Sequence, residues 1–147
     1  METDRTAITL LHESWLAAER EGRTADLIHM CCDEVVIAPP EGPAVRGRAA
    51  VDQLLRRPAA PIAEMRVDDV SIDLLGGLAV KRARFTTRMA GSAEVFRGVH
   101  VWVLRPRWKI AYITWAMDAA GKTLNDDDHM APVVPSLLSQ GEKGSGS

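Results

Sequence analysis

The stretch EVFRGVHVWVLRPRWKIAYITWAMD, residues 94–118, decides the fold. On both sides of Pro106-Arg107 its apolar residues recur at every second position, which is typical of two β-strands joined by a tight turn. The same period of two extends back to Glu64, with further turns at Gly76-Gly77 and Ala90–Ser92. The sequence therefore predicts four consecutive antiparallel strands, at 64–75, 78–89, 94–105 and 108–118.

The segment before residue 61 has helical periodicity instead. Apolar residues between Thr6 and Arg20 recur at steps of three and four, which predicts one amphipathic helix that Gly22 ends. A shorter helix from Thr24, a brief strand around Val36 and a third helix from Gly47 follow. Three N-terminal helices packed on a mainly antiparallel sheet form an α+β fold.

Length and composition indicate one domain and argue against nucleic acid or an anionic membrane as a partner. The 147 residues are 46% hydrophobic and 26% charged with a net charge of −2, which is typical of a folded chain with no basic surface for nucleic acid or an anionic membrane. No stretch is apolar enough to span a membrane, and the N-terminus lacks a secretion signal, so we expect a cytoplasmic protein. Adjacent Cys31 and Cys32 are expected to be thiols. We predict a domain at residues 1–120 and a tail at 121–147 that ends in a flexible Gly/Ser linker.

The residues of the last two strands divide into two faces. If Pro106-Arg107 is a two-residue loop, Arg105 pairs with Trp108, and this register assigns every side chain to a side. One face then holds Arg97, Val99, Val101, Val103, Trp108, Ile110, Tyr112, Thr114, Ala116 and Asp118. The other holds Phe96, His100, Trp102, Leu104, Lys109, Ala111, Ile113, Trp115 and Met117.

Both faces are apolar, but the helices can cover only one of them. The aliphatic content of the face with Val99 and Tyr112 favours it as the side that meets the helices and a pocket. The exposed indoles on the other face would then be covered by a second copy of the chain. We therefore predict a homodimer interface at His100, Trp102, Ile113 and Trp115.

Other polar residues offer weaker hypotheses. His12 and His29 have no partner at i+4, so metal binding is disfavoured and solvated or capping positions are expected. Three arginines on one face of a strand, Arg82, Arg84 and Arg88, favour a solvated or dimer-rim stripe over an anion site. The acidic run 126–129 is expected to be a solvated tail. We predict no metal and no organic cofactor.

Several short segments together resemble the nuclear-transport-factor-two-like superfamily, in particular its SnoaL-like branch. They are Trp15–Ala18, Gly22, Asp33, Pro39-Pro40, Gly47–Val51, Ala79-Val80 and Trp108–Ile110. The resemblance extends from Thr6 to Asp118 and rests on the order and spacing of these motifs. It implies a cone-shaped fold in which helices pack on a strongly curved sheet around a pocket, and it implies dimers.

The family includes ketosteroid isomerases, epoxide hydrolases, dehydratases, polyketide cyclases and noncatalytic binding domains. At the positions of the isomerases' tyrosine and aspartate this chain has Trp15 and Pro39, which argues against that chemistry because neither is an acid or a base. Only Arg97 and Asp118 remain of the epoxide hydrolases' Asp–Arg–Asp set. The SnoaL-type cyclases have an aspartate eight residues after a Lys-Ile pair, and Asp118 matches it.

Two hypotheses for the function follow. In the first, a cofactor-independent cyclase or isomerase acts on a small apolar, carbonyl-bearing metabolite similar to a polyketide. Asp118 would serve as acid/base because desolvation at a pocket rim raises the pKa of a carboxyl group, and Tyr112 would orient the substrate. The binding residues would be Trp15, Arg97, Val99, Val101, Trp108, Ile110 and Thr114. In the second, a noncatalytic dimeric domain binds an apolar ligand or docks to a protein.

Overall fold

The computed structural model describes residues 2–57 and 61–118, which form three helices and six strands. The elements are α1 Glu2–Glu21, α2 Thr24–His29, β1 Cys31–Ala38, β2 Val45–Arg46, α3 Arg48–Leu55, β3 Ile62–Leu75, β4 Leu78–Met89, β5 Phe96–Arg105 and β6 Lys109–Met117. Each of the four long strands begins and ends within two residues of its predicted position. The short strand β2 was not predicted. The tail expected at residues 121–147 lies outside the described residues.

The strands form one sheet in the order β2-β1-β6-β5-β4-β3. β3 to β6 are an antiparallel meander, as predicted, and β1 joins it through a parallel pairing with β6. With the helices on one side, this is the expected α+β architecture of three helices and a mixed, open sheet. No helix in the described part of the chain is long and apolar enough to cross a membrane.

The turn between β5 and β6 differs from the prediction. Arg105 pairs with Lys109, so the loop has three residues, and Arg107 and Trp108 take positive φ angles of 72° and 48°. A bulge at Ala111 then adds a second one-residue shift. Because the two shifts add up to two residues and side chains alternate with a period of two, the residues from 112 onward keep their predicted faces. Ile110, however, moves to the face of Leu104 and is fully buried.

The helices cover the opposite face of the sheet from the one predicted. The α1 side chains of His12 and Trp15 contact the ring of Trp102, with ring centroids 5.7 and 5.2 Å apart. Trp102 and Trp115 are 2% and 4% exposed within the single chain, whereas Tyr112 on the other face is 37% exposed. The aromatic side is therefore the inner face. Large rings fill the deep space between a helix and a curved sheet, which short valine side chains on the outer face would leave open.

α1 is hydrogen-bonded to β3, which is an edge strand of the sheet. The Arg5 guanidinium donates a hydrogen bond to the Ile72 carbonyl oxygen, and Arg20 donates one of 3.2 Å to the Met65 carbonyl oxygen. Since Ile72 pairs with Lys81 and Met65 with Thr87, α1 runs from the Lys81 level of β4 to its Thr87 level. This direction decides which α1 residues meet which residues of the inner face.

Candidate functional site

The buried polar side chains of residues 2–57 and 61–118 all lie between α1 and the inner face of the sheet. They are His12, Glu19, Lys81, Thr87 and His100, and none is more than 6% exposed. We call these five residues the interior cluster. Burying polar groups in an apolar core is costly unless they are paired or serve a function, so this concentration marks a candidate site.

Two members of the interior cluster come from α1. The buried positions of this helix are Ile8, His12, Trp15, Ala18 and Glu19. The steps of four, three and four from Ile8 to His12, Trp15 and Glu19 put these side chains on one stripe of the helix. His12 and Glu19 therefore face the sheet together with Trp15.

The other three members come from strand alternation. On β4 the buried residues are Ala79, Lys81, Ala83, Phe85, Thr87 and Met89, while the residues between them are more exposed. Lys81 pairs with Trp102, and Ala83 pairs with His100 on β5. His100 in turn pairs with Trp115 on β6. The strand pairings thus bring a lysine, a histidine and two indoles into two adjacent rows of the inner face.

Lys81 is the most unusual residue of the cluster. Its side chain is fully buried, its Nζ hydrogen-bonds to Nδ1 of His12, and the same nitrogen lies 3.4 Å from the centroid of the Trp102 ring. Burial lowers the pKa of Lys81 to about 6, although the negative charge of Glu19 opposes the shift. At neutral pH the side chain is therefore mainly an uncharged amine.

The two buried histidines are uncharged for the same reason. Burial, reinforced by the charge of Lys81, lowers the pKa of His12 to about 3 and that of His100 to about 2. The His100 ring is nearly parallel to the rings of Trp102 and Phe85, with interplanar angles of 14° and 7°. At neutral pH each imidazole has one donor and one acceptor nitrogen and can transfer a proton in either direction.

A glycine opposite Phe85 makes room for this aromatic stack. A Cβ at Gly98 would lie 2.6 Å from the Phe85 ring and still closer to the Ala116 carbonyl oxygen. Because only glycine lacks that atom, the Phe85 ring can lie over β5 and continue the stack of His100 and Trp102.

Three buried polar atoms on this inner face have no hydrogen-bond partner among the described residues. They are Thr87 Oγ1, His100 Nε2 and Trp115 Nε1. Buried polar atoms are nearly always paired in folded proteins, and an unpaired group costs about 1–3 kcal/mol. His100 and Trp115 are cross-strand partners, so their two nitrogens are available to a polar group enclosed there, whereas Thr87 lies four residues along β4 from the partner of His100.

A pocket of about 340 Å³ lies at the Thr87 end of the inner face. It is lined by Glu19–Gly22, Thr24, Leu27, Leu55–Arg57, Pro61 and Ile62. Ligand pockets in proteins typically measure about 300–1,000 Å³. Glu19 belongs to the pocket wall and also acts on the charge of Lys81. The pocket and the interior cluster therefore share this side chain.

The structure separates the predicted site residues into two groups. Arg97, Val99, Val101, Tyr112, Thr114 and Asp118 belong to the outer face, away from α1. Asp118 forms an ion pair of 3.3 Å with Arg84, and the Thr114 hydroxyl donates a hydrogen bond of 2.8 Å to the Ala38 carbonyl oxygen. The predicted location of Asp118 and Tyr112 on the pocket side is therefore wrong.

The remaining predicted residues lie on the inner side or at its edge. Trp15 and Ile110 are buried in the core, and the half-buried Trp108 donates a hydrogen bond of 3.1 Å from its indole nitrogen to Asp4. The residues predicted to form a dimer interface, His100, Trp102, Ile113 and Trp115, are at most 6% exposed within one chain. They are buried by α1 and their own sheet, so that interface prediction is also wrong.

Sequence reasoning missed the interior cluster, although two signals in the sequence point to it. His12 lies four residues after Ile8 and three before Trp15, which puts it on the buried stripe and not in solvent. Lys81 alternates with Ala79, Ala83 and Phe85, so it shares a face with apolar residues, unlike Arg82 and Arg84. Each signal became clear only once the buried face was known.

The chemistry available to this arrangement is proton transfer. The uncharged Lys81 amine can accept a proton, and the bonded imidazole of His12 can exchange protons with it. The Trp115 N–H is a fixed donor that can hydrogen-bond to an oxygen atom. A base and a donor that share one buried, aromatic face suit removal of a proton from a carbon beside a carbonyl group.

Comparison with known proteins supports this assignment of the fold. The family model of the SnoaL-like domain matches residues 12–113, which is more than half of the chain. The chain belongs to the SnoaL-like domain family. The expected resemblance is thereby confirmed. No curated protein sequence matches the chain.

Solved structures give the same fold at low sequence identity. A scytalone dehydratase candidate from Novosphingobium aromaticivorans is 12% identical with a TM-score of 0.68, covering 79% of this chain and 85% of that chain. An NTF2-like dehydratase candidate from Streptomyces avermitilis is 18% identical with a TM-score of 0.70, covering 80% and 98%. A ketosteroid isomerase candidate from Parabacteroides distasonis is 15% identical with a TM-score of 0.61, covering 76% and 86%. At these identities the likeness concerns the fold alone.

Proposed function

We propose that this SnoaL-like protein is a cofactor-independent enzyme that moves a proton at the carbon beside the carbonyl group of a small apolar molecule. Isomerisation, dehydration and cyclisation of polyketide-like compounds all use such a step. The observation that carries the proposal is the buried, hydrogen-bonded pair of Lys81 and His12, on the same inner face as the unpartnered polar atoms of His100 and Trp115.

The proposed step starts with the substrate carbonyl oxygen at the Trp115 N–H. Lys81, with its proton shared by His12, removes a proton from the adjacent carbon, and the electron pair moves onto the carbonyl oxygen to give an enolate. Hydrogen bonding from Trp115 stabilises the new charge, and this stabilisation is strong because the surroundings are apolar. Return of the proton to another carbon completes an isomerisation, whereas loss of a β-hydroxyl group completes a dehydration.

This proposal replaces the catalytic roles expected for Asp118 and Tyr112 with residues of the interior cluster. A carboxylate that is one-third exposed and paired with Arg84 has little reason to act as a base toward an enclosed apolar substrate. The noncatalytic alternative finds less support, because a site that only binds an apolar ligand needs no buried amine next to an imidazole.

The test uses the ketones 2-tetralone and 2-cyclohexenone as probes in D₂O. NMR measures how fast their carbon-bound protons exchange for deuterium. We expect the protein to accelerate exchange beside the carbonyl, and Lys81→Met to slow it by about 100-fold, the usual contribution of a general base. Arg82→Met is the matched control, since Arg82 is the next residue and faces outward to Asp73. Equal exchange with the two variants would contradict the proposal.

We also propose that two copies associate through the outer face of the sheet. The supporting feature is an apolar strip of half-buried valines, Val99, Val101 and Val103, beside the exposed Tyr112. An isologous dimer would cover such a strip. Sedimentation of Val101→Glu should give a monomer, while Glu34→Gln, on the exposed side of β1, should not change the wild-type result.

We propose the cytoplasm as the location of the protein. The support comes from Cys31 and Cys32, which are both free thiols. Free thiols persist in reducing compartments, whereas oxidising compartments favour disulfides. Growth of the producing cell followed by fractionation, with the protein detected by antibody, tests the location, and recovery from an extracytoplasmic fraction would contradict it.

A further inference from the structure

The most informative feature that the proton-transfer step does not fully use is the chemical identity of the buried base. A histidine alone can remove a proton, and two histidines already lie at the site. Enclosing a primary amine among aromatic rings costs more, because a lysine must lose its charge or be buried with it. An amine offers one reaction that an imidazole does not, which is condensation with a carbonyl group.

We propose that Lys81 binds its ligand covalently, by condensing with the carbonyl group of the ligand to form an imine. The inference rests on the proposed function, since it assumes a carbonyl ligand at the same site. It adds that aldehydes and ketones are held by a reversible bond to Nζ and not by hydrogen bonds alone. The geometry supports it, because Nζ is fully buried, contacts His12 and lies over the Trp102 ring.

The step balances without any further reagent. The Nζ lone pair forms a bond to the carbonyl carbon, and the π electrons of the carbonyl move to its oxygen. His12 can carry the two Nζ protons to that oxygen, the first to give the hydroxyl group of the carbinolamine and the second to release it as water when the C=N bond forms. No atom is oxidised or reduced, and addition of water reverses the reaction.

The surroundings of Lys81 favour this reaction at neutral pH. Burial makes the amine mainly uncharged, and only the uncharged form is nucleophilic. The titratable groups that face it are His12 and Glu19 from α1 and His100 from β5. Glu19, whose charge acts on the amine, also lines the 340 Å³ pocket, so this side chain connects the pocket with the surroundings of Lys81.

A 1,3-diketone, 1-phenylbutane-1,3-dione, is the probe for the test. It condenses with an uncharged lysine to give a stable vinylogous amide with a new absorbance, and the protein gains the mass of the diketone less one water. We expect one equivalent to add at pH 7.5, and peptide mapping of the wild-type protein to locate it at Lys81. The rate should reach half its maximum near pH 6, where Lys81 titrates.

Lys81→Met and Lys109→Met form the matched pair. Lys109 is exposed and donates a hydrogen bond to the His29 carbonyl oxygen, so its replacement should leave labelling unchanged. Lys81→Met should lose the adduct. Peptide mapping of the wild-type protein does not depend on either variant, so it decides the matter even if Lys81→Met does not fold.

Each outcome has a distinct meaning. Labelling of Lys109 at the same rate as Lys81, or no labelling of Lys81, would overturn the covalent role. If the wild-type protein still exchanges ketone protons in D₂O while no adduct forms, proton transfer is correct and the imine is wrong. An adduct without proton exchange would support the imine and contradict the proposed catalytic function.

Discussion

The two faces of strand β4 present cations in opposite ways. On the outer face, Arg82, Arg84 and Arg88 pair with Asp73, Asp118 and Glu64 at 3.0–3.3 Å, and all three pairs are partly or largely exposed. On the inner face, Lys81 is fully buried against an imidazole and an indole. The outer charges are stabilised by water and carboxylates, whereas the inner amine is stabilised by losing its charge. The same alternation of residues thus produces a solvated surface and a reactive interior.

The largest expected difference between the faces concerns aromatic packing. Trp102→Ala should lower the free energy of unfolding by about 3–5 kcal/mol, because it removes a buried ring that contacts Trp15, His12 and His100. Leu75→Ala, at the end of β3 and outside the proposed dimer strip, should lower it by about 1 kcal/mol or less, since Leu75 is 59% exposed. Urea unfolding, monitored by circular dichroism, measures the free energy of unfolding of both variants. Similar losses would contradict the tight packing of Trp102 on the inner face.

The glycine beneath the aromatic stack should be the next most sensitive position. Gly98→Ala should cost about 3 kcal/mol, because the new methyl group would overlap the Phe85 ring and the Ala116 carbonyl oxygen. Gly77→Ala is the control, since a Cβ there meets no atom within 4 Å. Thermal unfolding of the two variants gives the comparison. A loss of less than 1 kcal/mol at Gly98 would show that Phe85 can move aside without cost.

Acid should destabilise the inner face more than the outer one. The pKa values of His12 and His100 are about 3 and 2 in the folded protein and near 6.5 when unfolded. Below pH 6.5 the unfolded chain therefore binds more protons than the folded one. The contribution of the two histidines to the free energy of unfolding is complete above that pH and falls steadily toward pH 3. Lys81, with a folded pKa of about 6 against 10.5, adds a loss in the same direction from pH 10.5 down to 6.

His100→Phe isolates one part of this acid sensitivity. The ring would keep its stacking with Phe85 and Trp102 but could not take a proton. Between pH 7 and pH 5 the variant should lose about 2 kcal/mol less of its unfolding free energy than the wild-type protein. Phe85→Leu, which alters the same stack without removing a titratable group, is the control and should keep the wild-type pH dependence. An identical pH dependence for His100→Phe would mean that His100 is already protonated or accessible to water.

The meander was predictable because the period of two and the turn residues are local signals. Gly76-Gly77 and the Pro106 turn limit the strands, and alternation alone identified which residues of β5 share a face. The error at the turn did not change the faces from Tyr112 onward, because the bulge at Ala111 brought the total shift to two residues. Trp108, Lys109 and Ile110, which precede the bulge, were assigned to the wrong side.

The orientation of the sheet was not predictable in the same way. Alternation separates two faces but does not say which one α1 covers, and both faces here are apolar. The decision depends on how large side chains such as Trp15 and Trp102 fit together between helix and sheet, which is a property of the whole fold. The burial of His12 and Lys81 was not predicted for the same reason, because it depends on which face α1 covers.

The smallest expected effect concerns the ion pair between Arg84 and Asp118. Asp118→Asn should change the unfolding free energy by less than about 1 kcal/mol, because the pair is partly exposed and screened by solvent. It should also leave proton exchange in ketone probes unchanged, since Asp118 belongs to the face opposite the interior cluster. Arg82→Met, which removes the neighbouring pair with Asp73, is the control for loss of one outer ion pair. A large loss of proton exchange in Asp118→Asn, with stability retained, would mean that the outer face carries the catalytic residue and that the inner face is not the reactive one.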